Sequence, residues 1–209
     1  MFEIFELRYR DILDIPHLLL DQQVTCIVGP SGGGKTSLLR ILNRLNPPDS
    51  GRVLYNGEDI QGMDPVALRR RVVMLSQTPV LYPGDIRDNL QIGRVFSQKP
   101  PLSDFLLRKA LCQVGVDKLL DEPCSTLSGG EKQRLCLARV LLMDAETYLL
   151  DEPSAALDKK TERAIVDGLA QHVQKSGKQL ILVTHSPDIA QRYPNSLVSI
   201  GQEKGGETQ

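Results

Sequence analysis

The sequence predicts an α/β fold built on a mostly parallel sheet, with an antiparallel β portion at the N-terminal end and an inserted α-helical sub-domain. Three observations lead to this prediction. Short, continuously apolar runs alternate with segments of helical periodicity, which is typical of parallel strands covered by helices on both faces. Residues 2–9 instead alternate apolar and polar side chains, as a half-buried antiparallel strand does. Residues 78–146 show helical patterns and no clear strand.

Each predicted element follows from its local pattern. The continuously apolar runs that predict central strands are residues 24–28, 72–75, 147–150 and 180–183. A further strand with a turn after it is predicted at residues 52–55 and the following NGED. Apolar residues at helical spacing predict helices over residues 35–45, 64–70, 103–114, 129–143 and 159–175.

These elements predict how the chain is organised. A length of 209 residues favours a single domain, residues 1–209. Within it, residues 1–77 and 147–200 are assigned to the catalytic core, and residues 78–146 to the helical sub-domain. The polar, glycine-rich tail, residues 201–209, is expected to be disordered.

The bulk composition narrows the possible partners. The formal net charge of −1 offers no general attraction to nucleic acid, so no nucleic-acid partner is expected. The N-terminal MFEIFELRYR lacks the pattern of a signal peptide, and no apolar stretch approaches the roughly 20 residues that span a bilayer. A role at a membrane would therefore need a partner that supplies the spanning segments.

Residues 29–36 read GPSGGGKT, the complete pattern G-x-x-x-x-G-K-[ST]. This octapeptide follows a predicted strand and opens a predicted helix, which is the context of a phosphate-binding P-loop. Lys35 is expected to neutralise the β- and γ-phosphates, and the Thr36 hydroxyl to ligate Mg²⁺. The pattern alone leaves kinases, GTPases and transport ATPases open. The residues predicted to contact the nucleotide here are Gly29, Pro30, Ser31, Gly32, Gly33, Gly34, Lys35, Thr36 and Ser37.

The pentapeptide LLDEP occurs twice, at residues 119–123 and 149–153. A magnesium-binding carboxylate beside a P-loop belongs at the end of a short strand buried on both faces. Asp117 and Lys118 interrupt the apolar run before the first copy, and burying those charges in a covered sheet is costly. The second copy follows the apolar run TYLL. The pattern therefore favours the second copy for the chemistry and predicts a helix end or loop for the first.

Residues 127–134 read LSGGEKQR and suggest a second anion-binding loop. Ser128 and Glu131 have the spacing of a capping box, which opens the following helix. That box leaves Gly129 and Gly130 unexplained, because glycine is a poor helix former. Two glycines at a helix N-terminus expose backbone N–H groups, which predicts contact with a phosphate.

Together these motifs resemble the ATP-binding subunits of ABC transporters. GPSGGGKT, LSGGEKQR and YLLDEP match the family in its own order, and so do SAALD at residues 154–158, Gln77 after VVML and His185 after LILVT. LSGGEKQR is similar to the signature motif that separates this family from other P-loop proteins. The resemblance covers nearly the whole chain and implies a P-loop NTPase core.

The resemblance also implies ligands and catalytic roles. The ligands are ATP and Mg²⁺. Asp151 contacts Mg²⁺ directly or through water, and Glu152 is the candidate general base that polarises the attacking water. His185 contacts the γ-phosphate, and Gln77 contacts both Mg²⁺ and the attacking water. Without the resemblance, a histidine at a strand end, a loop glutamine and a carboxylate bonded to backbone would be ordinary structural residues.

The remaining implied roles concern the base and the subunit interface. Tyr9 matches the aromatic residue that stacks on adenine, and Asp158 communicates across a dimer. In that dimer two subunits pack head to tail, with each ATP between the P-loop of one and the signature loop of the other. The signature residues that contact this ATP are Ser128, Gly129, Gly130 and Glu131.

The implied function is ATP hydrolysis by a homodimer that closes around two ATP and drives a separate membrane permease. The permease is expected to dock near residues 77–90, a segment similar to efflux-type and metal-efflux ATPases, whereas residues 43–51 are similar to phosphate-importer ATPases. The protein would then be cytoplasmic and peripheral on the inner face of the cell membrane. The alternative is a soluble ABC ATPase in DNA repair or translation, which the short gap between P-loop and signature and the single cassette disfavour.

Overall fold

In the computed structural model, which describes residues 1–153 and 159–201, nine strands form two sheets. The first sheet is antiparallel and lies at the N-terminal end of the chain, as predicted. Its strands are β1 (Phe2–Tyr9), β2 (Leu13–Leu20), β4 (Ser50–Tyr55) and β5 (Glu58–Asp59), in the order β2-β1-β4-β5.

The second sheet is parallel throughout and contains the four continuously apolar runs. Its strands are β3 (Val24–Val28), β6 (Val72–Leu75), β7 (Thr147–Asp151), β8 (Gln179–Val183) and β9 (Leu197–Ser199), in the order β6-β7-β8-β3-β9. Every residue of β7 and β8 is buried, as expected of strands covered on both faces. The prediction of an α/β fold with a mostly parallel sheet is confirmed.

Seven α-helices occur in the described residues. They are α1 (Lys35–Leu42), α2 (Pro65–Arg71), α3 (Ile86–Phe96), α4 (Asp104–Gln113), α5 (Gly129–Leu142), α6 (Lys159–Ser176) and α7 (Pro187–Arg192). Between the end of β6 and the start of β7, where every residue is described, the chain forms helices, turns and one isolated bridge between Asp85 and Pro123. The long segment predicted to be helical therefore has no named strand.

Alternation along β7 and β8 divides the interior into two cores. Leu149 and Ile181 belong to the apolar cluster shared with α1 and the antiparallel sheet. Their neighbours Leu150 and Leu182 belong to the cluster shared with the helices between β6 and β7. The parallel sheet is thus held from both sides, and its carboxyl end lies where the glycine loop and the second LLDEP leave their strands.

A β-bulge reverses the buried face of β1. Buried positions are even before residue 6, as at Ile4, and odd after it, as at Leu7 and Tyr9. The register against β4 shifts within Phe5–Arg8, and Glu6 lies there with φ of 48°. A bulge adds a residue to one strand, so every later side chain points to the opposite face.

Five elements were not predicted individually from the sequence: β2, β5, α3, α7 and β9. Strand β2 contains Pro16, which cannot donate to a strand ladder and therefore argues against a strand. The strand lies at the edge of its sheet, where a proline is tolerated. Strand β9 has three residues and α7 has six, which is too short for periodicity to be read.

Candidate nucleotide-binding site

The glycine loop joins β3 to α1 in a conformation that only glycine can adopt at two positions. Gly29 and Gly34 have φ of 150° and 90°. A Cβ at Gly29 would lie 2.0 Å from the carbonyl oxygen of Ile200, and one at Gly34 would lie 2.4 Å from Cδ2 of Leu13. Positive φ and close backbone approach both require glycine here. The loop is therefore shaped by its own chain to present backbone N–H groups at the start of α1.

Lys35 places a positive charge directly under this loop. Its side chain is 5% exposed, and Nζ donates to the carbonyl oxygens of Gly29 at 2.9 Å and Pro30 at 2.8 Å. Both acceptors are neutral, so these bonds hold the ammonium without cancelling its charge. The helix N-terminus adds partial positive charge at the same place. An anion cradled by the loop would meet both.

Thr36 and Asp151 bring two oxygen ligands together from distant parts of the sequence. Thr36 Oγ1 donates to Asp151 Oδ1 at 3.1 Å, where β7 ends beside α1. Neighbouring ligands of octahedral Mg²⁺ are about 3 Å apart, because each Mg–O distance is about 2.1 Å. The two oxygens therefore fit adjacent positions around Mg²⁺, with the remaining positions left for phosphate and water.

The Asp151 carboxyl group is almost fully enclosed, with 2% of the residue exposed. Burial raises its pKa, and the nearby charge of Glu152 acts in the same direction. The hydrogen bond from Thr36 and the charges of Arg40 and Lys35 oppose this shift. A carboxylate that is costly to ionise in the folded protein gains the most from a bound cation.

Glu152 is held between two side chains that come from different strand ends. Its Oε2 accepts from Gln77 Nε2 at 2.9 Å, and its Oε1 lies 3.1 Å from His185 Nε2. The Glu152 side chain is 20% exposed, so it retains access to solvent. Its backbone adopts φ of 49°, in the left-handed region that non-glycine residues rarely occupy. The structure thus unites all three predicted catalytic residues, although Gln77 contacts Glu152 rather than Thr36 or Asp151.

The first LLDEP forms a turn, as interpreted from its sequence. Leu120 is buried, but Glu122 Oε1 accepts from the backbone of Leu119 at 2.8 Å, and Glu122 Oε2 lies 3.3 Å from Lys118 Nζ. These contacts lower the pKa of Glu122, the backbone hydrogen bond being the larger cause. Asp121 pairs with Arg87 at 2.8 Å. Both carboxylates of the first copy are engaged in local structure.

The predicted capping box at the signature motif is confirmed. Ser128 N donates to Glu131 Oε2 at 2.8 Å, and Glu131 N donates to Ser128 Oγ at 3.3 Å. A Cβ at Gly129 would meet no described atom within 4 Å. Packing within the chain therefore does not explain why glycine stands there. A ligand or partner approaching the start of α5 would explain it.

Tyr9 has no open aromatic face in the structure, although the predicted contact with adenine requires one. Tyr9 is 7% exposed and belongs to a buried apolar cluster. Its hydroxyl accepts from Asn46 Nδ2 at 3.1 Å, and the Arg10 guanidinium lies over its ring at 5.1 Å. The bulge at Glu6 is the cause, because it turns Tyr9 to the buried face of β1. The exposed apolar side chain beside the glycine loop is Ile12, which is 40% exposed.

Other predicted site residues have simpler outcomes. Pro30, Ser31 and Gly32 are exposed at the mouth of the loop, as a ligand contact requires. Asp158 and the rest of SAALD lie outside the described residues.

Sequence reasoning missed Gln133, which the structure places against the catalytic loop. Gln133 is 6% exposed, and its Nε2 donates to the carbonyl oxygen of Glu152 at 2.9 Å. A signal existed in the sequence, because Gln133 occupies the buried face of a helix that is otherwise apolar there. A buried amide needs a hydrogen-bond partner, but nothing in the sequence identifies which one.

The site has the arrangement of a P-loop nucleotide hydrolase. A glycine loop joins a strand to a helix N-terminus, and the strand beside them ends in paired carboxylates. Residues 17–155 match the family described as ABC transporter. This range includes both glycine loops and both copies of LLDEP. The chain belongs to the ABC transporter family, in which it is an ATP-binding domain of the ATPase type.

Named relatives agree with this assignment. Protein STAR1 of Oryza sativa subsp. japonica is 40% identical over 181 residues, covering 86% of this chain and 51% of STAR1. The phosphate import ATP-binding protein PstB of Pyrobaculum aerophilum is 38% identical over 205 residues, covering 88% of this chain and 81% of PstB. The chain thus spans about half the length of STAR1 and most of PstB.

Solved structures support the same fold. The ATP-binding cassette MJ0796, a dimer in a post-hydrolysis state bound to ADP and Pi, has a TM-score of 0.83 at 22% identity, covering 96% of this chain and 94% of that one. The cbiO1 subunit from Clostridium perfringens, part of the cbiONQ transporter complex, has a TM-score of 0.77 at 28% identity, covering 96% and 84%.

The burial of Tyr9 predicts that its ring does not contribute to nucleotide binding. Tyr9→Leu should leave the Kd for ATP unchanged but lower the free energy of unfolding by about 1–3 kcal/mol, since it removes a buried ring and a hydrogen bond. Titration calorimetry and thermal unfolding measure the two effects. Lys35→Ala is the control that loses ATP binding. If adenine stacked on Tyr9, Tyr9→Leu would instead raise the Kd for ATP roughly 5-fold or more, and that result would restore the original prediction.

The enclosed carboxylate predicts that Asp151→Asn stabilises the ligand-free protein. Because the folded pKa of Asp151 is raised, stability from this group falls as pH rises from the unfolded pKa through the folded one. At pH 7 the ionised carboxylate therefore opposes folding, whereas asparagine is neutral and can still accept from Thr36. The variant should have the higher Tm without ligand and should lose the extra stabilisation by Mg²⁺ with ATP. A lower Tm for the ligand-free variant would contradict this account.

Proposed function

We propose that this chain hydrolyses ATP with Mg²⁺ as one half of a head-to-tail dimer and that it drives a separate membrane permease. The observation that carries the proposal is the position of Glu152, held by Gln77 and His185 immediately after the Thr36–Asp151 pair. A general base, a magnesium ligand set and a phosphate loop thus meet at one edge of the parallel sheet.

The chain's own residues have distinct tasks in this reaction. The glycine loop and Lys35 would bind the β- and γ-phosphates, and Thr36 and Asp151 would hold Mg²⁺, which neutralises phosphate charge when bound. Glu152 would orient the attacking water and receive its proton. His185 and Gln77 keep the Glu152 carboxylate in one position, since each contacts a different oxygen. His185 is 44% exposed in its side chain, so it is also open to a phosphate.

The signature loop supports a composite site shared by two chains. Ser128 and Gly129 are exposed at the start of α5, and Gly129 is not required by packing within its own chain. Backbone N–H groups at that helix end suit a phosphate. A second copy that presents its P-loop to these groups would complete two equivalent ATP sites. The cassette MJ0796, which has a similar fold, is itself dimeric when bound to ADP and Pi.

A groove between β6, α3 and α5 is the proposed docking surface for the permease. The groove encloses about 570 Å³, and its apolar lining includes Val80, Tyr82 and Phe96, which are 57%, 37% and 50% exposed. Exposed apolar side chains in a cluster mark an interaction surface, and a groove of this kind accepts an amphipathic helix. It includes the segment after Gln77 that the sequence predicted for docking.

Two features favour this groove as a permanent binding surface. Asn89 fixes the backbone of Tyr82, which lines the groove, because Nδ2 donates to Tyr82 O at 2.9 Å and Oδ1 accepts from Tyr82 N at 2.9 Å. The charged side chains lining the groove are all cationic: Arg40, Arg69 and Arg139. Arg69 and Arg139 donate to carbonyl oxygens rather than to carboxylates. The charge suits a permease helix that carries acidic residues.

The relatives support a function in transport, in which the permease would determine the substrate. Phosphate import ATP-binding proteins of Pyrobaculum aerophilum and Synechococcus sp. are 38% and 37% identical to this chain. Their names favour an importer over the metal efflux suggested by the segment after Gln77. They also count against a soluble role in DNA repair or translation. No described helix is long and apolar enough to cross a membrane. Because these relatives are named as ATP-binding proteins for import, we place the chain on the cytoplasmic face of the membrane, held there by its permease.

The two LLDEP copies provide a matched test of the catalytic assignment. Glu152→Gln should lower kcat for ATP hydrolysis by at least about 100-fold, because it removes the general base. It should also trap an ATP-bound dimer that gel filtration detects. Glu122→Gln should retain wild-type kcat, since Glu122 serves only a local turn. Equal losses in the two variants would reject the assignment.

The docking proposal predicts a specific loss of membrane association. Phe96→Asp places a charge in the apolar lining of the groove and should abolish co-purification with an integral membrane protein when the tagged chain is recovered from solubilised membranes. Phe105→Asp, at a phenylalanine that is 75% exposed on α4, is the matched control and should co-purify normally. Both variants are checked by Tm. Loss in both variants, or in neither, would rule out this groove as the docking surface.

A further inference from the structure

Gln133 is a buried polar side chain with one defined task. It is 6% exposed on α5, where the residues on the same side of the helix, Cys136, Leu137 and Val140, are at most 5% exposed. Desolvating an amide is costly unless it is hydrogen-bonded. The Nε2 group of Gln133 meets this need by donating to the carbonyl oxygen of Glu152 at 2.9 Å. An apolar residue would be the cheaper choice at this position if packing were the only requirement.

Gln133 bonds to a residue whose backbone conformation is strained. Glu152 has φ of 49°, a left-handed conformation that is unfavourable for a residue with a Cβ. Its N–H donates to Val183 O at 3.2 Å in β8, and its carbonyl oxygen accepts from Gln133. The Glu152 peptide groups are therefore fixed on one side by the sheet and on the other by α5. The side chain that must address the attacking water is attached between these two anchors.

Helix α5 also begins with the signature loop. Gln133 is four positions after Gly129, which is about 6 Å along the helix. The helix is a rigid body over this distance, so a shift of its N-terminus is a shift of the Gln133 amide. One short stretch of helix thus links the proposed binding surface for the partner chain's ATP to the backbone of this chain's own general base.

We propose that Gln133 is a positioning residue that couples the two ATP sites of the dimer. Engagement of the signature loop by the ATP bound to the partner chain sets the position of α5, and Gln133 transmits that position to Glu152. Each site then hydrolyses ATP only when the other site holds ATP between the two chains. This inference rests on the proposed function, because it requires a composite dimer that hydrolyses ATP. Because hydrolysis at each site then requires ATP at the other, the rate of hydrolysis should depend cooperatively on ATP concentration.

The first test removes the hydrogen bond while keeping the size of the side chain. Gln133→Met should lower kcat about 10-fold to 100-fold, as expected for a misplaced base, with the Kd for ATP unchanged. The Hill coefficient for ATP should fall towards 1. Gln171→Met, at an exposed glutamine on α6, is the matched control and should behave as wild type. Tm is measured for both variants to compare their folding.

A second variant separates positioning from simple packing. Glutamate at this position can donate to the Glu152 carbonyl only while it is protonated. The kcat of Gln133→Glu relative to wild type should therefore be highest at low pH and fall as pH rises through the pKa of the introduced carboxyl group. An ionised carboxylate buried at this position also destabilises the fold, so Tm is measured over the same pH range. A merely structural glutamine would lower Tm as pH rises and leave the kcat ratio of the folded protein unchanged.

The outcomes distinguish this inference from the proposed function. Hydrolysis by the wild type together with unchanged kcat and Hill coefficient in Gln133→Met would overturn the coupling and leave the ATPase function intact. A fall in kcat with no change in cooperativity, or a flat pH ratio for Gln133→Glu, would also overturn it. Absence of ATP hydrolysis by the wild type would overturn both proposals.

Discussion

The hydrogen bond between Thr36 and Asp151 is the contact on which the rest of the site depends. It joins residues that are 115 positions apart, and it brings the phosphate loop to the end of β7. A carboxylate that is 2% exposed would be costly without such a donor. The sheet order makes the contact possible. Strand β8 lies between β3 and β7, and α1, which follows β3, packs against β7. Loop, metal ligands and base are then located by a single packed framework.

The alternation of side chains along β7 fixes the positions of the two carboxylates at its carboxyl end. Leu149 and Leu150 enter different cores, so the strand is held from both sides and cannot slip without exposing one of them. The next two residues inherit this precision. Asp151 contacts Thr36 within the buried layer, whereas the left-handed turn at Glu152 frees that side chain to reach Gln77 and His185. The backbone strain of Glu152 therefore lies where two adjacent carboxylates must take different roles.

Continuous apolar runs predicted the central strands because burial on both faces leaves no charged residue within them. The two glycine loops were predicted from complete motifs, because the conformation of each loop depends on residues that are contiguous in the sequence. Long-range effects escaped prediction. The bulge at Glu6 turns Tyr9 inward, and no periodicity reveals a one-residue insertion against β4. Pro16 concealed an edge strand. The partner of Gln133 lies 19 positions away, so it became evident only once α5 and β7 were packed.

The two copies of LLDEP separate the effect of sequence from that of environment. Glu122 accepts from the backbone three residues earlier and pairs with Lys118, so its pKa is lowered and its carboxylate is occupied. Glu152 has no comparable local partner among its described contacts. Its partners come from the segments that follow β6 and β8 and from α5, and each is set by the fold rather than by the pentapeptide. Identical letters acquire a catalytic geometry only where three distant elements converge, so the role belongs to the packing around Glu152 and not to the motif alone.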